Sequence, residues 1–260
     1  MITSIRNPRV QQIRNLLEQR KERDETRSFV IEGVRLVEEA LVCGWLPRLV
    51  FFSDELSSRG QALIGEFSAR HVEVEQVSSS VMQHMTGTET PQGILAVMPQ
   101  RDLPVPEILD FMIIADQLRD PGNLGTLLRT AAAAGVQAIV LTPGTADAFS
   151  PKVLRAGMGA HFRLPVLQKT WQEIDNLIEA RYPQLKIFVA EPAGGVSCWQ
   201  IDLKQPLALV IGGEAEGIGI EARQRADELI CIPMPGRIES LNAAVAAGIL
   251  IFEVVRQRTS

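Results

Sequence analysis

Six short apolar runs mark the second part of the chain, at 111–115, 138–141, 163–166, 187–190, 208–211 and 229–232. Segments with helical spacing separate them near 124–134, 151–158, 171–181 and 221–226, and a last helical pattern runs from about 241 to 258. No other feature restricts the fold as strongly. A strand that is apolar on both faces must be covered on both faces, and helical crossovers that do so leave the strands mostly parallel. The class is therefore α/β, with ligands expected where loops leave the carboxyl ends of the strands.

A smaller version of the same alternation comes first. Residues 35–43 and 58–70 read as helices, and 49–52, 72–76 and 94–97 as strands, which makes a compact N-terminal α/β domain. The stretch 99–106 (PQRDLPVP) has three prolines in eight positions and no periodicity, as a linker does. The expected domains are 1–104 and 105–260. At the very start, Asn7-Pro8 reads as an N-cap and first helical position, followed by Val10, Ile13, Leu16 and Leu17 at helical spacing. Seven basic residues, among them Arg14, Arg20 and Lys21, face four acidic ones over the first thirty positions. An amphipathic helix with a positive outer face is expected, the plainer alternative being an ordinary solvated helix.

Composition narrows the classes further. Over 260 residues, 46% apolar and 22% charged content excludes wholesale disorder. The net charge of −5 argues against coating nucleic acid through overall charge, and leaves a local basic face open. No apolar run approaches the roughly 20 residues needed to span a bilayer, and polar residues interrupt MITSIRNPRV before a signal peptide could form. Cys43, Cys198 and Cys231 are an odd number without C-x-x-C, which fits a reduced, cytoplasmic setting. With only His71, His84 and His161, a metal cage or a histidine triad has few parts, and no metal is expected.

Three strand exits carry unusual residues. In the first, Asp120-Pro121-Gly122 turns into a helix on which Gly125 and Arg129 share a face, beside a helix N-terminus that favours an anion. The second, Gly212-Gly213-Glu214-Ala215-Glu216-Gly217, places glycines around two carboxylates, where a ligand approaches the backbone or the backbone takes special angles. Gly217, Gly219 and Ala222 formally satisfy the dinucleotide pattern G-x-G-x-x-A, though too far from the strand end at Ile211 for a tight turn. That pattern keeps a nicotinamide-dependent oxidoreductase among the alternatives. The third exit, Ile232-Pro233-Met234-Pro235-Gly236, leads to Ser240 and Asn242 at the head of an alanine-rich helix, with Ser240 the simplest N-cap. No nucleophile–base pair is visible.

Together these segments resemble the SpoU (TrmH) family of RNA 2′-O-methyltransferases, of the SPOUT class. Asn123-x-Gly125-x-x-x-Arg129-Thr130 is similar to that family's first motif. The glycine loop from Gly212 to Gly217 is similar to the second, and Ile232-Pro233-Met234-x-Gly236 with Ser240-Leu241-Asn242 to the third. Phe29-x-x-Glu32-Gly33-x-Arg35, with Pro91-Gln92-Gly93, resembles the N-terminal substrate-binding domain of two-domain members. Ala243-Ala244 stands where Val-Ser is more usual, and Gly157 where Ser is common, which puts substrate detail in question rather than activity.

The resemblance implies a trefoil knot in the C-terminal part and a homodimer with its interface at the active site. It implies S-adenosyl-L-methionine held by the backbones at Gly212, Ile232 and Leu241, with Gly213, Gly217, Met234 and Gly236 around them. It also implies a catalytic set of Arg129, Asn123, Glu214, Ser240 and Asn242. Asn123 would brace the arginine and the ribose, while Glu214, Ser240 and Asn242 orient Arg129 and the loop. The implied partner is RNA, ribosomal RNA being favoured over tRNA, with Arg14, Arg20, Lys21 and Arg35 as RNA-binding candidates. A tRNA ribose methyltransferase and a catalytically silent RNA-binding protein of the same fold are the alternatives.

Overall fold

Most helix starts follow local rules. Asn7 accepts from the Arg9 N–H with Pro8 as the first helical residue, Ser57 and Ser78 cap the helices that follow them, and Thr170 and Glu173 form a reciprocal capping box. The computed structural model describes residues 1–87, 90–192, 194–213, 217–236 and 238–259. The first elements are α1 (Pro8–Glu18), α2 (Arg20–Thr26), β1 (Ser28–Glu32), α3 (Val34–Val42), β2 (Leu49–Phe52), α4 (Ser58–Ala69), β3 (Glu73–Gln76), α5 (Ser79–Thr86) and β4 (Ile94–Pro99). Next come β5 (Phe111–Asp116), α6 (Pro121–Ala133), β6 (Ala138–Leu141), α7 (Pro151–Gly157), β7 (Val166–Gln168), α8 (Trp171–Arg181) and β8 (Lys186–Ala190). The last are β9 (Val196–Ser197), β10 (Leu207–Gly212), α9 (Ile220–Arg225), β11 (Glu228–Cys231) and α10 (Ala243–Thr259).

The chain divides into two compact units. Met1–Arg101 and Phe149–Phe162 form one, and Asp102–Ala148 with Arg163–Ser260 the other.

The first unit holds a four-stranded sheet in the order β1-β4-β2-β3, with β4 antiparallel to both neighbours and β2 parallel to β3. Val10, Ile13 and Leu16 of α1 and Val81, Met82 and Met85 of α5 pack on Val30, Phe51, Leu95 and Val97 of the sheet. The expected first helix is confirmed, but the chain breaks at Gln19 into a second, α2. The strand β1 and helix α5 go beyond the sequence expectation. In β1 the apolar run is only three residues long, and α5 begins in serines that favour caps and turns over helix interiors.

The second unit holds a seven-stranded, wholly parallel sheet in the order β7-β6-β5-β10-β8-β11-β9. This matches the expected α/β class. Met112, Ile114, Val140, Val189 and Val210 meet Trp171, Ile174, Ile178 and Tyr182 in a buried core on one face. At two elements the boundary moves for a visible physical reason. The strand expected at 163–166 starts only at Val166, because residues 160–162 close a tight 3₁₀ turn and Pro165 has no N–H for the ladder; its carbonyl accepts from the Ile139 N–H instead. The last helix starts at Ala243, and its cap is Asn242 rather than Ser240: Asn242 Oδ1 accepts from the N–H groups of Ala244 (3.0 Å) and Val245 (3.2 Å). Among the described residues no helix is long and apolar enough to cross a membrane.

Candidate functional site

A cavity of about 270 Å³ opens at the carboxyl ends of β8, β10 and β11. Gly212, Gly213, Gly217 and Ile218 form one wall, Ile232 and Met234 another, and Ser240, Leu241 and Asn242 a third. Ala190, Glu191 and Pro192 close the side beyond β8. The cofactor candidates Gly212, Gly213, Gly217, Ile232, Met234 and Leu241 are thus brought together, as are Ser240 and Asn242. Gly236 is exposed and not part of this wall. Glu214 lies outside the described residues.

The glycine loop is folded against backbone on both sides. A Cβ on Gly212 would stand 2.6 Å from the Gly217 carbonyl oxygen, and one on Gly213 would stand 2.7 Å from the Gln117 carbonyl oxygen. Real side chains do not fit at such distances. Gly217 has a φ of +67° and donates its N–H to the Gly213 carbonyl at 3.0 Å, so the loop closes on itself.

Its far end is tied down by Asp116, a residue that belongs to none of the three motifs. The Asp116 carboxylate is 1% exposed at the end of β5. Oδ1 accepts from the Thr142 hydroxyl (3.0 Å) and the Trp171 indole N–H (3.1 Å), and Oδ2 accepts from the Gly219 N–H (2.9 Å). This also removes the dinucleotide reading. Gly219 caps α9, and a carboxylate sits where a pyrophosphate would need that amide.

The first motif is placed by α6. Asp120 caps it, accepting from the Asn123 N–H at 2.8 Å, so the helix N-terminus expected to favour an external anion is already served by the chain's own carboxylate. Asn242 Nδ2 donates to Asn123 Oδ1 at 3.0 Å, which ties the first motif to the third. Thr130 and Gly248 bring α6 and α10 close: a Cβ on Gly248 would touch Thr130 Cγ2 at 3.9 Å. Arg129 is exposed, and among the described residues its guanidinium has no hydrogen-bond or ion-pair partner. Asn123 is the expected brace of the arginine; among the described residues its side-chain oxygen instead accepts from Asn242.

In the N-terminal unit the expected positive face is largely met by its own carboxylates. Arg14 pairs with Glu18 (2.5 Å), Arg20 with Asp24 (3.4 Å) and Lys21 with Glu25 (3.7 Å). Arg9 pairs with Glu73 and Glu75, and Arg23 is buried against the carbonyls of Leu16 and Leu17. Helical i,i+4 spacing produced the Arg14, Arg20 and Lys21 pairs, a pattern legible in the sequence. Arg35, by contrast, is exposed with no hydrogen-bond or ion-pair partner among the described residues. Next to it, burial pushes the Glu32 carboxyl above its ordinary value, against the Arg155 guanidinium and the Gln92 N–H, which draw it down.

Comparison with known proteins matches residues 110–252 to the SpoU rRNA Methylase family and residues 7–96 to the MRM3-like substrate binding domain. The 23S rRNA (guanosine(2553)-2′-O)-methyltransferase RlmP of Bacillus subtilis (strain 168) is 34% identical over 255 residues, 97% of this chain and 98% of that protein. The AdoMet-bound rRNA methyltransferase from Sinorhizobium meliloti aligns over 100% of this chain and 98% of its own, with 36% identity and a TM-score of 0.88. The SpoU methyltransferase AviRb from Streptomyces viridochromogenes, in complex with AdoMet, aligns over 97% and 99%, with 30% identity and a TM-score of 0.88.

Proposed function

We propose that this chain, which belongs to the SpoU rRNA methylase family, transfers a methyl group from S-adenosylmethionine to a ribose 2′-hydroxyl of ribosomal RNA. The observation that carries the reading is the junction of the three motifs. The second and third line one cavity, and the Asn242–Asn123 hydrogen bond joins them to the helix bearing Arg129.

The cavity suits the cofactor. Apolar walls from Ile211, Ile218, Ile230 and Leu250 match a flat adenine ring, and the two glycines that exclude a Cβ leave backbone groups to face it. Gly212, Ile232 and Leu241 would hold it by their backbones. Bound there, it supplies an electrophilic methyl group on a sulfonium sulfur. Arg129 would lower the cost of negative charge on a ribose 2′-oxygen placed beside it. Asn123, braced by Asn242, stands in the first turn of the helix that bears Arg129, and Ser240 contributes a hydroxyl to the cavity rim.

RNA substrate binding is assigned to domain 1–104, with Arg35 and the arm cations Arg14, Arg20 and Lys21 as contacts, and methyl transfer to domain 105–260. The match of 7–96 to a substrate binding domain and the ribosomal RNA specificity in the relatives' names support this assignment. A homodimer is supported by Val245 and Phe252, seven residues apart on one face of α10 and each about half exposed (51% and 49%). The trefoil knot fits the insertion of β10 between β5 and β8. Three free cysteines fit a cytoplasmic setting.

The test is methyl transfer from labelled S-adenosylmethionine to ribosomal RNA. Arg129→Ala should fold and still bind the cofactor, yet lose transfer by orders of magnitude. Near-normal turnover in that variant sinks the mechanism.

A further inference from the structure

Among the described residues, one charged side chain lines the cavity, and none of the three motifs supplies it. Glu191 follows the last residue of β8, and its N–H is fixed to the Ile230 carbonyl at 2.9 Å. Its side chain is 8% exposed and lines the cavity. Oε2 accepts from Arg223 Nη2 at 2.9 Å. Oε1 lies 2.9 Å from Arg223 Nε, but that N–H is not aimed at it, and this buried oxygen has no hydrogen bond among the described residues. Buried acceptors with unused lone pairs are rare in folded chains, so such an oxygen calls for a further donor. In a ligand cavity the natural partner arrives with the ligand.

We propose that Glu191 recognises the ribose hydroxyls of the adenosyl group bound in this cavity; the assignment rests on the cofactor reading above. The cofactor has two kinds of strong donor for a carboxylate, its ribose diol and its ammonium. Arg223 already balances the Glu191 charge, which removes most of the electrostatic pull on a second cation. Hydroxyl donors remain well matched to the oxygen without a hydrogen bond, and an acidic residue takes a ribose hydroxyl in dinucleotide-binding α/β folds by the same chemistry. The neighbours Ile211, Ile218 and Ile230 are apolar, surroundings in which adenosine is at home and a charged amino-acid end is not.

The experiment is calorimetric titration of the full chain and its Glu191→Ala and Glu191→Gln variants with two probes. S-adenosylhomocysteine carries both ribose and ammonium; 5′-methylthioadenosine carries the ribose alone. Melting curves of each variant establish that it is folded. Glu191→Ala should weaken both probes by a similar factor, about tenfold or more, with Glu191→Gln falling between it and the unaltered chain. Arg223→Ala, which leaves the carboxylate in place, should bind both within a few-fold of normal. Weakening confined to S-adenosylhomocysteine would assign Glu191 to the ammonium and overturn the proposal, as would unchanged binding of both. Equal loss in Arg223→Ala would make the ion pair, not the ligand contact, responsible and also overturn it. If the unaltered chain binds neither probe, the cofactor reading falls and this assignment falls with it.

Discussion

Asn in place of Asp116 is the most informative single change in the second unit. The substitution keeps the volume but converts one acceptor oxygen into a donor NH₂. In the native network both oxygens accept, Oδ1 from Thr142 and Trp171 and Oδ2 from Gly219. Whichever way the amide turns, an NH₂ faces a donor. Trp171 and Thr142 are buried and hold two of the three bonds, so the retained oxygen stays with them, and Gly219 loses its acceptor. A donor orphaned in this way costs about 1–3 kcal/mol. Gly219 follows the glycines that wall the cavity, so the cost reappears in how well that wall meets the cofactor. At about 1.4 kcal/mol per tenfold, the S-adenosylmethionine dissociation constant should rise roughly 5- to 100-fold. The melting temperature should fall by roughly 2–4 °C per kcal/mol of destabilisation. Calorimetric titration and thermal unfolding measure the two effects. Gly219→Ala is an independent perturbation of the same bond, because its Cβ would stand 3.0 Å from Asp116 Oδ2. It should weaken the cofactor similarly, and the double variant should show less than the sum. Cofactor affinity within twofold of normal in Asp116→Asn, with an unshifted melting curve, would refute the idea that this carboxylate secures the loop.

Two further outcomes are expected. The triple variant Arg14→Ala, Arg20→Ala, Lys21→Ala should cost little stability, since each loses only an exposed i,i+4 pair worth about 0.3–0.5 kcal/mol. It should weaken RNA binding and flatten its salt dependence by about one unit of log–log slope for each phosphate the arm no longer neutralises; an unchanged slope would move RNA contact to Arg35. Burial pushes the Cys198 thiol up to about 11, so at neutral pH a thiol reagent added to the native protein should modify Cys43 and Cys231 first. Early labelling of Cys198, followed by mass spectrometry, would contradict its buried position.

The parallel sheet was legible because its strands are apolar on both faces, and periodicity marks them directly. The three motif segments were legible because glycine and proline interrupt that pattern at the strand exits. Asp116 and Glu191 stand out less, although each is the first charged residue after an apolar strand, at the end where such sheets bind ligands. Their position carries the signal, but a lone carboxylate has no spacing partner to mark it. The arm misleads for the opposite reason. Its charge count is positive, while the i,i+4 register pairs Arg14, Arg20 and Lys21 with carboxylates and offsets most of that face. The cap of α10 turned on which of two polar residues could reach two free N–H groups, a matter of geometry that composition does not resolve.

The excursion of Phe149–Phe162 into the N-terminal unit has a bearing on how the protein can be dismantled. The chain passes between the units three times, so neither is a single continuous stretch. Phe149 packs near Phe29 with ring centroids 5.0 Å apart, and Phe162 lies 5.3 Å from Trp45, whose indole N–H donates to the Phe162 carbonyl. A polypeptide ended at Arg101 would therefore leave Phe29 and Trp45 stripped of their aromatic cover, and the remainder would carry a loose helix with its greasy side outward. Gene fusion or domain exchange among such enzymes would have to carry this short insert along with the front segment, making the two halves inherit together.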